Sequence, residues 1–212
     1  MKTYTTVYMV RHGETDANVT DMIQGQSDVP LNSDGLKQAE LAGQRFKGIR
    51  FDAVYSSDLS RALVTARSIA GTDEIILTPA LREWHLGHWQ GRCIADIAVE
   101  FPQEYAAFKA NSSDFRPAGG ESIRELCDRS ASFLKQIAIE QAGKKVLCVT
   151  HGGFLRATLL NVMDMAKYPE RARVDNTSIS CIRTCDGGNT WQLVFWNDTN
   201  HLEGHYRNSS GW

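Results

Sequence analysis

The chain has 212 residues, 42% hydrophobic and 23% charged, with a formal net charge of −2. That length suits one domain burying roughly 70% of its unfolded surface, and the near-neutral balance, without a Lys/Arg stripe, gives no footing for nucleic acid. The start MKTYTTVYMV lacks the apolar core of a signal peptide, and no run approaches the ~20 apolar residues of a membrane span.

Cys93, Cys127, Cys148, Cys181 and Cys185 are scattered, odd in number and without a CxxC pair. They read as reduced thiols rather than a disulfide frame or zinc site, so a cytoplasmic protein is expected.

Strand-like runs at 3–10, 52–56, 74–78 and 145–150 alternate with helical patterns, which predicts an α/β sheet with largely parallel strands. The first long helix should cover 33–47 from an Asn32 N-cap, with Leu36, Ala39, Gly43 and Phe46 on its inner face and Gly48 at its end. A second follows Ser57, read as its cap, with Leu59, Leu63, Ala66 and Ala70 as its stripe. Residues 84–118 carry Trp84, Trp89, Phe101, Tyr105, Phe108 and Phe115 with little regularity. This excursion reads as a cap over a pocket, or equally as a lid on the core, within a single 1–212 domain.

The longest helix is expected from about Glu121 to Gln141, on Ile123, Leu126, Ser130, Phe133 and Ile137, closed by Gly143. A further helix follows Gly153 on Leu155, Leu159 and Met163. TSISCIRTC, DGGN and TWQLVFWN then read as two strands around a turn.

In open α/β sheets, ligands bind outside the carboxyl ends of the strands. Those ends present Arg11 and His12, Arg61 just beyond Ser57, Arg82 and Glu83, then Thr150 and His151 ahead of Gly152 and Gly153. A helix N-terminus attracts anions, and a guanidinium fork holds two phosphate oxygens at once. Neutral imidazole is a nucleophile when one ring nitrogen donates a hydrogen bond and the other stays free. Glycine beside each histidine lets backbone approach a ligand. Together these groups form a phosphate cradle with a histidine aimed at phosphorus.

Taken singly, each has a plainer reading. Either histidine alone is a structural residue, Arg61 a surface helix charge, and Glu83 an ion-pair partner of Arg82. A metal site on His12, His151 and Glu83 lacks an HExxH-type spacing. Convergence of all four strand ends is what favours the cradle.

RHGET with Asn18, QGQSDVPLNSDG, SSDLSRA, LREWHLGHWQG, GGES and THGG occur in this order from Val7 to His201. The ordered set resembles the histidine phosphatase superfamily, phosphoglycerate mutase-like branch, in particular its broad-specificity and α-ribazole phosphatases. The resemblance implies a three-layer α/β/α sandwich around a mostly parallel sheet with one antiparallel strand. It also implies that His12 is the nucleophile, that Arg11, Arg61 and His151 form the phosphate pocket, and that Asn18 adds a side-chain contact. Glu83 would be the proton donor and then the base for water. Gln24, Gly25 and the segment from Glu83 to Leu86, including His85, would line the substrate mouth, and Gly152 would offer a backbone N–H. No metal or cofactor is implied. The expected partner is a small phosphorylated metabolite, with phosphate as product.

The sugar-acid mutases of this family follow their acid glutamate with Arg-His-Tyr and a longer basic insertion. Here Glu83 precedes Trp84-His85-Leu86, and the short 84–118 segment offers only Arg92, Lys109 and Arg116. Hydrolysis is therefore expected ahead of phosphoglycerate mutation. A non-catalytic phosphate sensor is the remaining alternative, weakened because both His12 and Glu83 are present.

Overall fold

The computed structural model describes residues 2–110 and 113–203. Six strands make one sheet: β1 (Thr5–Arg11), β2 (Ala53–Ser56), β3 (Ile76–Leu77), β4 (Lys145–Thr150), β5 (Ile179–Thr184) and β6 (Gln192–Asp198), in the order β3-β2-β4-β1-β5-β6. The pairings among β1 to β4 are parallel, whereas β5 is antiparallel to both β1 and β6. Only β5 therefore runs against the rest, as the family resemblance implied. The expected 74–78 strand shrinks to two half-exposed residues at the sheet edge.

Alternation along the strands sorts the core into two layers. Val7, Met9, Val146 and Cys148 face α6 (Ile123–Glu140) and α7 (Gly152–Met163). Val10, Leu147 and Val149 face α2 (Ser33–Arg45) and α3 (Ser60–Ala70). Because β4 is covered on both sides, its sequence is a continuous apolar run rather than an alternating one.

Helix ends follow local chemistry, with one substitution of partner. Asn32 Oδ1 accepts from Gly35 N at 2.8 Å, and Ser122 and Glu125 form a capping box on α6. For α3 the N-cap is Leu59, not Ser57, and it makes no side-chain cap bond. Asp28, 32 residues upstream, instead accepts from Ser60 N at 2.7 Å. The stripes on α2 and α3 are rotated from those expected. Gly35, Gln38, Ala39 and Ala42 are buried while Leu36 is 45% exposed, and α3 buries Arg61, Ala62, Thr65, Ala66 and Ile69. The rotation brings Gly13 and Gly35 backbones together, since a Cβ on Gly13 would sit 2.4 Å from Gly35 O. It also buries Arg61 beneath the strand ends.

Residues 84–118 hold α4 (Ile94–Glu100) and α5 (Pro102–Lys109). Trp84, Trp89, Ile97, Phe108 and Phe115 are buried in the same apolar cluster as α6 and α7. The segment thus extends one core layer past the sheet's carboxyl edge.

Candidate active site

The carboxyl ends of β1 and β4, the start of α3 and the turn after β3 surround a cavity of about 580 Å3. Arg11, His12, Asn18, Gln24, Gly25, Arg61 and Glu83 all line it. His151 lies behind, fully buried, its ring centroid 5.0 Å from that of His12. Besides His151, two expected residues stay outside the lining. His85 turns its backbone to Glu121, donating N–H to Oε2 at 2.9 Å, and Gly152 is buried in the first turn of α7, where Gly153 is the glycine that reaches the cavity.

His12 is fixed by covalent neighbours and by strands. Its N–H donates to Thr150 O at 2.9 Å, and its Nδ1 lies 2.7 Å from Gly13 O. A carbonyl can only accept, so Nδ1 carries the proton and Nε2 keeps its lone pair. Burial, then the charges of Arg61 and Arg11, hold the His12 pKa well below the usual histidine value. The ring is neutral at pH 7. Burial, followed by Arg61, depresses His151 in the same way.

Arg11 and Arg61 are 4% and 0% exposed. Arg11 Nη1 donates to Val174 O at 2.6 Å, while Arg61 spends Nη1 on Ser27 O and Nη2 on Gly25 O, both at 2.8 Å. Burial pushes each guanidinium down to about 10, which leaves both charged at neutral pH. Both Nε atoms and both His151 ring nitrogens are buried without a hydrogen-bond partner among the described residues. Such groups are costly unless an anion uses them. The donor set fits phosphate.

Glu83 faces this cluster with its carboxyl group held by two backbone donors: Trp84 N to Oε1 at 2.8 Å and Gly153 N to Oε2 at 3.2 Å. Its neighbour Arg82 pairs bidentately with Asp58, at 2.7 and 2.6 Å, rather than with Glu83. Asn18 Oδ1 is taken up by Thr15 and by Asn176 Nδ2, so its amide nitrogen is the group left for a cavity ligand.

Four contributors escaped the sequence reading. Asn176 Nδ2 donates to His12 O at 3.0 Å, and Thr177 N to Arg11 O at 3.1 Å. Thr177 holds φ +55, a strained choice for a β-branched residue, to do so. Tyr168 donates its hydroxyl to Gly153 O at 2.9 Å. Arg156 lines the cavity with Nε on Ala172 O at 2.9 Å. Arg156 had a visible signal, as the lone charge in the apolar GGFLRATLLNVM. Asn176 and Thr177 had none, because their work is done across the sheet.

The chain is similar to known proteins over nearly its whole length. The histidine phosphatase superfamily (branch 1) profile matches residues 7–199. The metal-independent phosphoserine phosphatase of Arabidopsis thaliana is 41% identical over 203 residues, covering 93% of this chain and 83% of its own. A probable phosphoglycerate mutase of Serratia proteamaculans is 36% identical over 205 residues, 93% of this chain and 94% of its own. Among solved structures, a mutant phosphoserine phosphatase from Entamoeba histolytica in complex with phosphoserine superposes with a TM-score of 0.84 at 30% identity, over 93% of this chain and 99% of that one.

Proposed function

The chain belongs to the histidine phosphatase superfamily, branch 1, and from that premise we propose that it hydrolyses small phosphomonoesters through a phosphohistidine at His12. The observation that carries this reading is the His12 tautomer, with Nδ1–H on Gly13 O and the other ring nitrogen free beside two buried arginines. Nε2 attacks phosphorus in line as the bond to the leaving alcohol breaks, and Glu83 gives that oxygen its proton. The phosphorylated ring keeps Nδ1–H on the Gly13 carbonyl, which stabilises its positive charge. Glu83, now a carboxylate, takes a proton from water as the water oxygen attacks phosphorus. The P–N bond then breaks, releasing phosphate and neutral His12. Arg11, Arg61 and His151 spread the transition-state charge, each such preorganised donor contributing about 3–4 kcal/mol.

Hydrolysis is favoured over mutation by what the 84–118 segment offers as a cap on the cavity. Arg92 and Arg116 are committed to Glu100 and Glu125, and of the segment's cations Lys109 is the one at the cavity wall. Metal-free catalysis is supported by the likeness to a relative named a metal-independent phosphoserine phosphatase. A reducing compartment such as the cytoplasm suits five free thiols. Among the described residues no helix is long and apolar enough to cross a membrane.

Relatives named for phosphoserine make O-phosphoserine the first metabolite to assay, with Arg156 and Arg171 as the cations on the cavity wall for its carboxylate. One stretch of the wall, Met22, Leu86, Trp89, Ile94 and Phe108, is more apolar than that substrate needs, although Asp21, Lys109 and Glu170 also line the cavity. The testing experiment measures p-nitrophenyl phosphate, O-phosphoserine and n-alkyl phosphates in excess EDTA. Turnover is expected to persist under chelation, and kcat/KM to rise about threefold to fourfold per added methylene while the chain fills the wall. Loss of activity on chelation would overturn the metal-free mechanism, and a flat alkyl series would remove the apolar subsite.

Gly153→Ala probes the Glu83 anchor. An alanine Cβ would lie 2.3 Å from Glu83 Oε1, so the carboxyl group must leave its present position. Alkyl phosphate turnover is expected to fall about 10²-fold; wild-type kinetics would mean that Glu83 acts from another position.

A further inference from the structure

We propose that Arg129 is a positioning residue for Glu83, setting the proton donor's place by clamping the backbone on which it stands. The inference rests on the reading of Glu83 as general acid.

Glu83 lies in an irregular turn, where no ladder of strand or helix bonds fixes its backbone. Arg129, on α6, supplies the missing bonds. Nη1 donates to Ala80 O at 2.9 Å and to Arg82 O at 2.8 Å, and Nη2 donates to Glu83 O at 3.2 Å. The other edge of the guanidinium meets Glu121, with Nε to Oε1 at 3.0 Å and Nη2 to Oε2 at 2.8 Å. All five N–H groups are used. The group also lies over the Phe154 ring, 5.6 Å from its centroid, immediately after Gly153.

Glu121 completes the brace from the far side. Besides taking His85 N on Oε2, it donates its own N–H to His85 O at 2.8 Å and accepts Trp84 Nε1 on its carbonyl at 2.8 Å. The Arg129–Glu121 side chains are only 21% and 16% exposed. Every residue from Arg82 to His85 is thus tied either to Arg129 on α6 or to Glu121, two residues before that helix begins. A planar fork is needed for this, since a lysine ammonium cannot span three carbonyls and a carboxylate. Neither partner lines the cavity, so substrate contact is not their contribution.

The test compares kcat/KM on ethyl phosphate, a poor leaving group, with kcat/KM on p-nitrophenyl phosphate, a good one, since kcat/KM reports transfer to His12 and not the later hydrolysis that both substrates share. Arg129→Gln is expected to lower the first about 30-fold or more and the second less than threefold, with the inhibition constant of inorganic phosphate within twofold of wild type. Arg129→Lys should not restore the ratio. In a Glu83→Gln background, Arg129→Gln should add less than threefold on ethyl phosphate, because the group it positions is gone. Should Arg129→Gln fail to fold, Glu121→Gln, which releases one edge of the fork, is expected to shift the same ratio about fivefold. Equal losses on both substrates, or weaker phosphate binding with an unchanged ratio, would overturn the proposal. If Glu83→Gln itself leaves the ratio unchanged, the general-acid reading fails along with it; a steep Glu83→Gln ratio beside a flat Arg129→Gln ratio sinks the positioning role alone.

Discussion

Replacing His12 with alanine is expected to abolish turnover, by at least about 10⁴-fold, while the fold survives. The imidazole supplies the attacking lone pair, and no neighbour can stand in for it. His151 has both ring nitrogens buried and without a hydrogen-bond partner among the described residues, but it sits behind His12 rather than on the cavity wall. Stability should change little, because among the described residues the side chain makes a single hydrogen bond, to the adjacent carbonyl. Circular dichroism and a melting temperature within about 5 °C of wild type would show that. Retained turnover in a folded His12→Ala protein would end the phosphohistidine mechanism.

The same variant carries a pH signature. Burial holds His12 and His151 below their ordinary value of 6.5 in the folded state, whereas the unfolded chain protonates both as pH falls through about 6.5. The unfolded state then binds more protons, so stability declines toward acid. Urea midpoints at pH 7.5 and pH 5 should therefore lie closer together in His12→Ala than in wild type. An unchanged gap would mean that this ring is not held neutral.

Glu83→Gln is expected to cost about 10²- to 10⁴-fold on alkyl phosphates and less than about tenfold on p-nitrophenyl phosphate. The amide has nearly the carboxylate's shape but cannot surrender a proton to an alkoxide. A nitrophenolate needs little help in leaving, so its kcat/KM reports the nucleophilic step alone, ahead of the phosphohistidine hydrolysis that all substrates share. The substitution also leaves one oxygen for two backbone donors, Trp84 N and Gly153 N, and an unpaired donor costs about 1–3 kcal/mol if it stays buried. Equal losses on both substrates would take Glu83 out of the proton-donor role. The Arg129 ratio would then have to be reinterpreted with it.

The amino-acid sequence by itself determined the helix start at Asn32, the long helix from about Glu121, the apolar β4 strand and the delivery of Arg11, His12 and His151 at strand ends. Those follow from neighbours within a few positions, where capping and alternation operate. The ordered motifs likewise tied His12 to Arg61 and Glu83, although 71 residues separate the outer two. Only the tertiary structure decided how the polar groups are shared out. Asp28 took the α3 cap that Ser57 was expected to fill, because the QGQSD loop folds over that helix and its carboxylate reaches Ser60 N first. Asp58 took Arg82, which left Glu83 to two backbone donors. The faces of α2 and α3 turned to bury Arg61 and to let Gly35 meet Gly13, leaving Leu36 in solvent. Asn176, Thr177 and Arg129 act on backbone more than 40 residues away. A hydrogen bond of that kind depends on where the chain has been brought by packing, and no local periodicity records it.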